Sequence, residues 1–70
     1  MDRVSVISTE LRSVGYDETT LTLEVEFQRL GTYRYFGVTK EVYLNLMSAP
    51  SKGRYFNASI RDAYACQRVA

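Results

Sequence analysis

The stretch "TLTLEVEFQRLGTYRYF", residues 20–36, decides the fold. From Thr20 to Gln28, Leu21, Leu23, Val25 and Phe27 fall on one side and Thr22, Glu24, Glu26 and Gln28 on the other, the period of a half-buried strand. A three-residue turn of Arg29, Leu30 and Gly31, with the glycine in the left-handed conformation, folds "TYRYFGV" back as its antiparallel partner. On that turn Phe27 faces Tyr33, Glu26 faces Arg34, Val25 faces Tyr35 and Glu24 faces Phe36. Cross-strand partners project to the same side, so Tyr33 and Tyr35 continue the apolar face and become walls of the core. Arg34 joins Glu26 on the solvent face in an exposed pair worth about 0 to 1 kcal/mol.

Upstream, "SVISTELRSVGYD" is rich in β-branched and apolar residues but breaks alternation between Leu11 and Val14. It reads as one strand with an irregularity near Arg12 or Ser13, closed by the turn-forming "GYDETT". After Val38 the period changes. Thr39 is positioned to cap a helix, "KEVYLNLMSA", whose Val42, Leu46 and Ala49 share a face, and Pro50 stops it. Ser51 caps a second helix, "KGRYFNASIRDAY", with Phe56, Ile60 and Ala63 on its apolar side and Arg54, Asn57, Ala58 and Arg61 opposite. Gly53 costs that helix about 1 kcal/mol relative to Ala, which points either to a close approach there, by the first helix or the sheet, or to a loose first turn. The tail "YACQRV" alternates and fits a short edge strand. The fold class is therefore α+β, one domain over residues 1–70, with a three-stranded antiparallel meander, two helices and a short C-terminal strand.

Seventy residues can remove only about 60% of their unfolded surface from water, so the six Tyr and three Phe must supply much of the core. A single cysteine, Cys66, allows no disulfide within the chain and suits a reducing compartment. "MDRVSVISTEL" has an early Asp2, a short apolar patch and no small-residue cleavage site, so neither a signal peptide nor a membrane span is expected there. The expected setting is cytoplasmic, with no membrane partner.

Chemistry is sparse. The chain has no His, which removes Cys–His catalysis, and one Cys without His leaves no nitrogen or sulfur ligand set for zinc. Glu24 and Glu26 stand about 7 Å apart on one strand face, but an exposed face beside an arginine does not split their acidities for acid–base work. Asp17, Glu18 and Glu10 do not match a calcium loop, and Gly15, Gly31, Gly37 and Gly53 are isolated and build no phosphate loop. No catalytic, metal or cofactor residue is assigned, and the chain is read as a non-enzyme.

Charge is distributed unevenly about a net +1. Residues 1–28 hold six acidic and two basic side chains, residues 29–70 two acidic and seven basic. That asymmetry favours an anionic partner on the second half. Arg54 and Arg61 lie seven residues apart on the second helix with Asn57 between them, joined by Lys52, and these four residues are the candidate phosphate-facing set. Tyr55 or Tyr35 could stack on bases, and Arg34 is the one cation of the hairpin, although Glu24 and Glu26 beside it repel phosphate.

The succession "VGYDETTLTLEVEF", "YRYFGV" and "VYLNLMSAPSKGRYFNASIRDAY", from about Ser8 to Tyr64, resembles the KTSC family, a domain found at the C-terminus of some lysyl-tRNA synthetases and as small free-standing bacterial and phage proteins. Tyr33-Arg34-Tyr35 and the run from Ser51 to Asn57 leading to Ile60 and Arg61 carry the resemblance. Leu30 stands where the family often has glycine, and Thr39 where it often has proline. The resemblance implies no established activity; RNA binding is suggested by attachment to a synthetase. Two functions of different classes follow: a module for RNA, either tRNA or single-stranded, working through the basic helix, or a protein-interaction module whose aromatics are core. An exposed apolar patch around Phe36, Leu30 or Met47 would favour the second.

Overall fold

The computed structural model describes residues 1–70. Five strands, β1 (Arg3–Ser5), β2 (Leu11–Asp17), β3 (Thr22–Phe27), β4 (Gly31–Phe36) and β5 (Cys66–Arg68), pair antiparallel in sequence order, and α1 (Lys40–Ser48) and α2 (Lys52–Ser59) separate β4 from β5. Four strands, not three, thus precede the helices, and the tail supplies the fifth. The upstream segment splits because Ser8 turns the chain: its hydroxyl accepts from the Glu10 and Leu11 amides, both at 3.2 Å, and Val6 N–H then reaches back to Arg12. The expected irregularity is a register shift between Leu11 and Ser13.

The central hairpin keeps the expected faces but not the expected pairs. Phe27 lies opposite Gly31, Val25 opposite Tyr33, Glu24 opposite Arg34 and Leu23 opposite Tyr35. The turn sits one residue earlier, which displaces the pairing by two, and a shift of two preserves which side chains point inward. Gly31 adopts φ +95, and a Cβ there would fall 2.6 Å from the Ala70 carbonyl oxygen. At the other end Leu21 leaves the strand. It takes φ 53 in the β2–β3 turn and is 41% exposed, so it does not join the inner face.

Both helices are capped where expected, Thr39 Oγ1 accepting from Val42 N–H and Ser51 Oγ from Arg54 N–H. α2 ends at Ser59 rather than running to Tyr64, because the amides of Ile60 and Arg61 converge on one acceptor, the Phe56 carbonyl, and close the last turn. Ala63 is consequently exposed. The helices cover one face of the sheet. Leu11, Val14, Leu23, Val25, Val38, Leu46 and Ile60 are fully buried between the layers, each worth about 1.5 to 3 kcal/mol of transfer free energy when large. Phe56 enters edge-on between Phe27 and Tyr35, with ring centroids at 5.2 and 5.3 Å, and Tyr33 meets Phe27 the same way at 5.8 Å. Tyr16 stacks on Tyr43 and donates its hydroxyl to the Val38 carbonyl at 2.6 Å, and burial, foremost, raises the pKa of its phenol above the ordinary tyrosine value.

The opposite face of the sheet has no helix on it, yet Glu24 is buried there at 7% exposure. Arg3 Nη1 and Arg34 Nε donate to its two carboxylate oxygens at 2.9 and 2.8 Å, while Glu26 accepts from the Ser13 hydroxyl at 2.8 Å. Arg34 is therefore paired with Glu24, not Glu26, a direct result of the displaced register. No helix is long and apolar enough to cross a membrane.

Candidate functional site

The organising residue of the helix side is Glu10, which composition and spacing did not single out. Its backbone is fixed on both sides: its N–H donates to Ser8 Oγ and its carbonyl accepts from Gln28 N–H at 2.9 Å. The carboxylate is thereby held over α2, where Oε1 accepts from Asn57 Nδ2 at 3.1 Å. Gly53 makes room for it. A Cβ at Gly53 would stand 3.2 Å from Glu10 Oε1 and 3.4 Å from Glu10 Cβ, so the close approach expected there is made by this side chain and not by α1 or the sheet strands.

Three adjoining depressions meet at Glu10. An open groove of about 960 Å³ runs between residues 7–10 and the start of α2, with Lys52, Gly53, Arg54 and Asn57 along it. A second, of about 360 Å³, lies against the β3–β4 turn at Gln28, Arg29 and Leu30. The third, of about 350 Å³, is walled by Phe27, Tyr33, Tyr35 and Phe56 and rimmed by Asn57, Arg61, Asp62 and Cys66.

The sequence-derived residues divide accordingly. Lys52, Arg54 and Asn57 line the open groove, and Asn57, Arg61 and Tyr35 line the aromatic depression, so Asn57 belongs to both. Arg34 lies on the other face of the sheet, held by Glu24. Tyr55 packs half-buried against the core and lines none of the three depressions. Lys52 Nζ donates to the Ala49 carbonyl at 3.2 Å. The guanidinium groups of Arg54 and Arg61 make no ion pair: the three in the chain are Arg3–Glu24, Arg34–Glu24 and Lys40–Glu18. Tyr35, only 5% exposed, has its phenol pushed up to about 12, chiefly by burial, then by Cys66 and Tyr33, with Arg61 pulling it back.

No signal in the sequence links Glu10 to Asn57, 47 residues away, because their contact depends on the β1–β2 turn and the approach of α2 to the sheet. What such an arrangement can do is bind. It offers two free guanidinium groups, a fixed carboxylate with an amide on it and a partly open aromatic wall; no three His, Cys, Asp or Glu side chains group to hold a metal.

The KTSC domain family model matches residues 7–64. A KTSC domain protein of Yersinia pestis, solved as a crystal structure, superposes with a TM-score of 0.97 at 39% identity, covering 99% of this chain and 97% of that one. An uncharacterized protein of Stutzerimonas stutzeri is 49% identical over 57 residues, 81% of this chain and 80% of the relative. A lysine–tRNA ligase of Nostoc punctiforme is 33% identical over 60 residues, 86% of this chain but 11% of the ligase. The match to the family model over most of the length, the shared fold and the full-length relatives agree: the chain belongs to the KTSC domain family.

Proposed function

We propose that this chain is a non-catalytic module that binds RNA, tRNA or another strand with unpaired segments, along the α2 side of the sheet. The observation that carries the proposal is the pair of uncompensated guanidinium groups, Arg54 and Arg61, flanking Asn57 on depressions that continue into the aromatic wall of Tyr33 and Tyr35. Phosphate needs cations that are not already neutralised. Arg3 and Arg34 share Glu24 and are poor candidates, whereas Arg54 on α2 and Arg61 just past its end take part in no ion pair and lie on the more basic part of the chain. The occurrence of a similar segment within lysine–tRNA ligases gives a supporting context. An exposed, unbridged Cys66 fits a reducing compartment such as the cytoplasm. The protein-partner alternative gains less support: Leu30 lines the helix side, Phe36 belongs to the uncovered sheet face and Met47 is half-buried on α1, so the three make no common patch.

The test is salt-dependent binding of single-stranded RNA and tRNA to the native chain and to an Arg54→Ala, Arg61→Ala double variant. Each lost phosphate contact should flatten the slope of log K against log salt by about 0.7 to 1. A folded double variant with unaltered affinity and slope would overturn the assignment.

A further inference from the structure

We propose that the depression beside Tyr35 is a base pocket: it takes one unpaired nucleobase carrying an exocyclic amino group, with the Glu10 carboxylate and Tyr35 hydroxyl accepting from that group and Tyr33 as the stacking ring. This rests on the RNA assignment above and deepens it from phosphate contact to base choice.

The first support is an unused hydroxyl. Tyr35 is 95% buried as a residue, lines the aromatic depression, and takes part in no side-chain hydrogen bond within the protein. Every buried side-chain nitrogen or oxygen in the chain has a partner, so the unpartnered Tyr35 oxygen keeps some accessible surface on a residue that lines the depression. The contrast with Tyr16 is direct, since its hydroxyl is already spent on the Val38 carbonyl at 2.6 Å. A buried tyrosine ordinarily finds a partner for its hydroxyl, and one that ends at a cavity wall offers that bond to whatever enters.

The second support is Glu10, which lines the same depression with its orientation already set. Asn57 occupies Oε1, leaving Oε2 without a protein donor. A fixed carboxylate accepts only, so the matching ligand group is an N–H donor. Adenine, cytosine and guanine each present an exocyclic amino group, whereas uracil places carbonyl oxygens on both sides of its one N–H, and these would meet the carboxylate. Tyr33, half-buried on the helix-facing side of β4, supplies a ring for stacking, and Arg61 on the rim reaches the adjoining phosphate. A volume of about 350 Å³ is at the small end of ligand sites and suits one base rather than a folded element.

The experiment is an anisotropy titration of the full chain at low salt with short oligo(A), oligo(C) and oligo(U) strands, with adenosine monophosphate alone as a further arm. Oligo(A) and oligo(C) should bind about tenfold more tightly than oligo(U), and the monophosphate far more weakly than oligo(A). In Glu10→Gln and in Tyr35→Phe, both of which preserve side-chain shape, the ratio of oligo(A) to oligo(U) affinity should fall towards one. Equal affinities for all three strands with a steep salt dependence would overturn the base pocket and leave the phosphate assignment standing. Adenosine monophosphate binding as tightly as the strand would make a free nucleotide the ligand and overturn the proposal as a strand site. Absence of binding by every strand at low salt would overturn both.

Discussion

Tyr35→Ala should lower the stability of this domain by about 3 to 5 kcal/mol in urea or heat denaturation, a large share of what a 70-residue chain possesses. The ring is 5% exposed and meets Phe56 edge-on at 5.3 Å, so truncation opens a cavity beneath α2 where Phe56 anchors that helix to the sheet. Tyr35→Phe should cost little, because the hydroxyl leaves no protein partner behind. The two variants also separate ring from hydroxyl through pH. The folded phenol titrates at about 12 and the unfolded one near 10, so the native state keeps its proton where the unfolded chain has lost it. Stability from this group is complete below pH 10 and disappears as pH rises through 12, on the order of 2 kcal/mol in all. The difference in stability between the native chain and Tyr35→Phe should therefore shift by that amount across this window. An equally stable Tyr35→Ala variant, or a difference flat from pH 9 to 12, would contradict the structural role given to this ring.

Replacing both Arg3 and Arg34 by Ala should cost about 2 to 4 kcal/mol, far more than a surface ion pair. The Glu24 side chain is 9% exposed and its two oxygens have these guanidinium groups as partners at 2.9 and 2.8 Å. Removing both leaves a desolvated carboxylate without a cation, while the arginines themselves, at 32% and 44% side-chain exposure, are partly solvated and moderate the loss. Adding Glu24→Gln to the double variant should restore much of the stability, since the neutral amide is less costly to bury. Denaturation curves showing a double variant as stable as the native chain would make the cluster an ordinary surface contact.

These two sites mark what local sequence conveys and what it does not. The inward aim of Tyr35 follows from side-chain parity along β3 and β4, which survives a pairing displaced by two, and the caps at Thr39 and Ser51 are local hydrogen bonds that a few residues determine. The burial of Glu24 is invisible in the same way that the Glu10–Asn57 bond is. Arg3 reaches Glu24 only because Ser8 reverses the chain and adds β1 to the sheet, and Asn57 reaches Glu10 only because the same reversal brings residues 8–10 over α2. A single short turn thus reorganises both faces, and its signal is one serine hydroxyl. The candidate site was half legible: spacing put Arg54, Asn57 and Arg61 on one helix face, but α2 ends at Ser59, so Arg61 lies past the helix on a different depression from Arg54, while packing turned Tyr55 against the core and set Arg34 against a carboxylate.

The two faces also provide the most direct test of the RNA assignment. Backbone amide and arginine Nε–H signals of the isotopically labelled chain can be followed by NMR during titration with single-stranded RNA at low and at higher salt. Shifts should concentrate at residues 8–10, Lys52 to Asn57 and Arg61, with the Nε–H signals of Arg54 and Arg61 moving and those of Arg3 and Arg34 remaining in place, and all should shrink as salt rises. Movement centred on Arg3, Arg34 and the uncovered sheet face, or no movement at low salt, would contradict it.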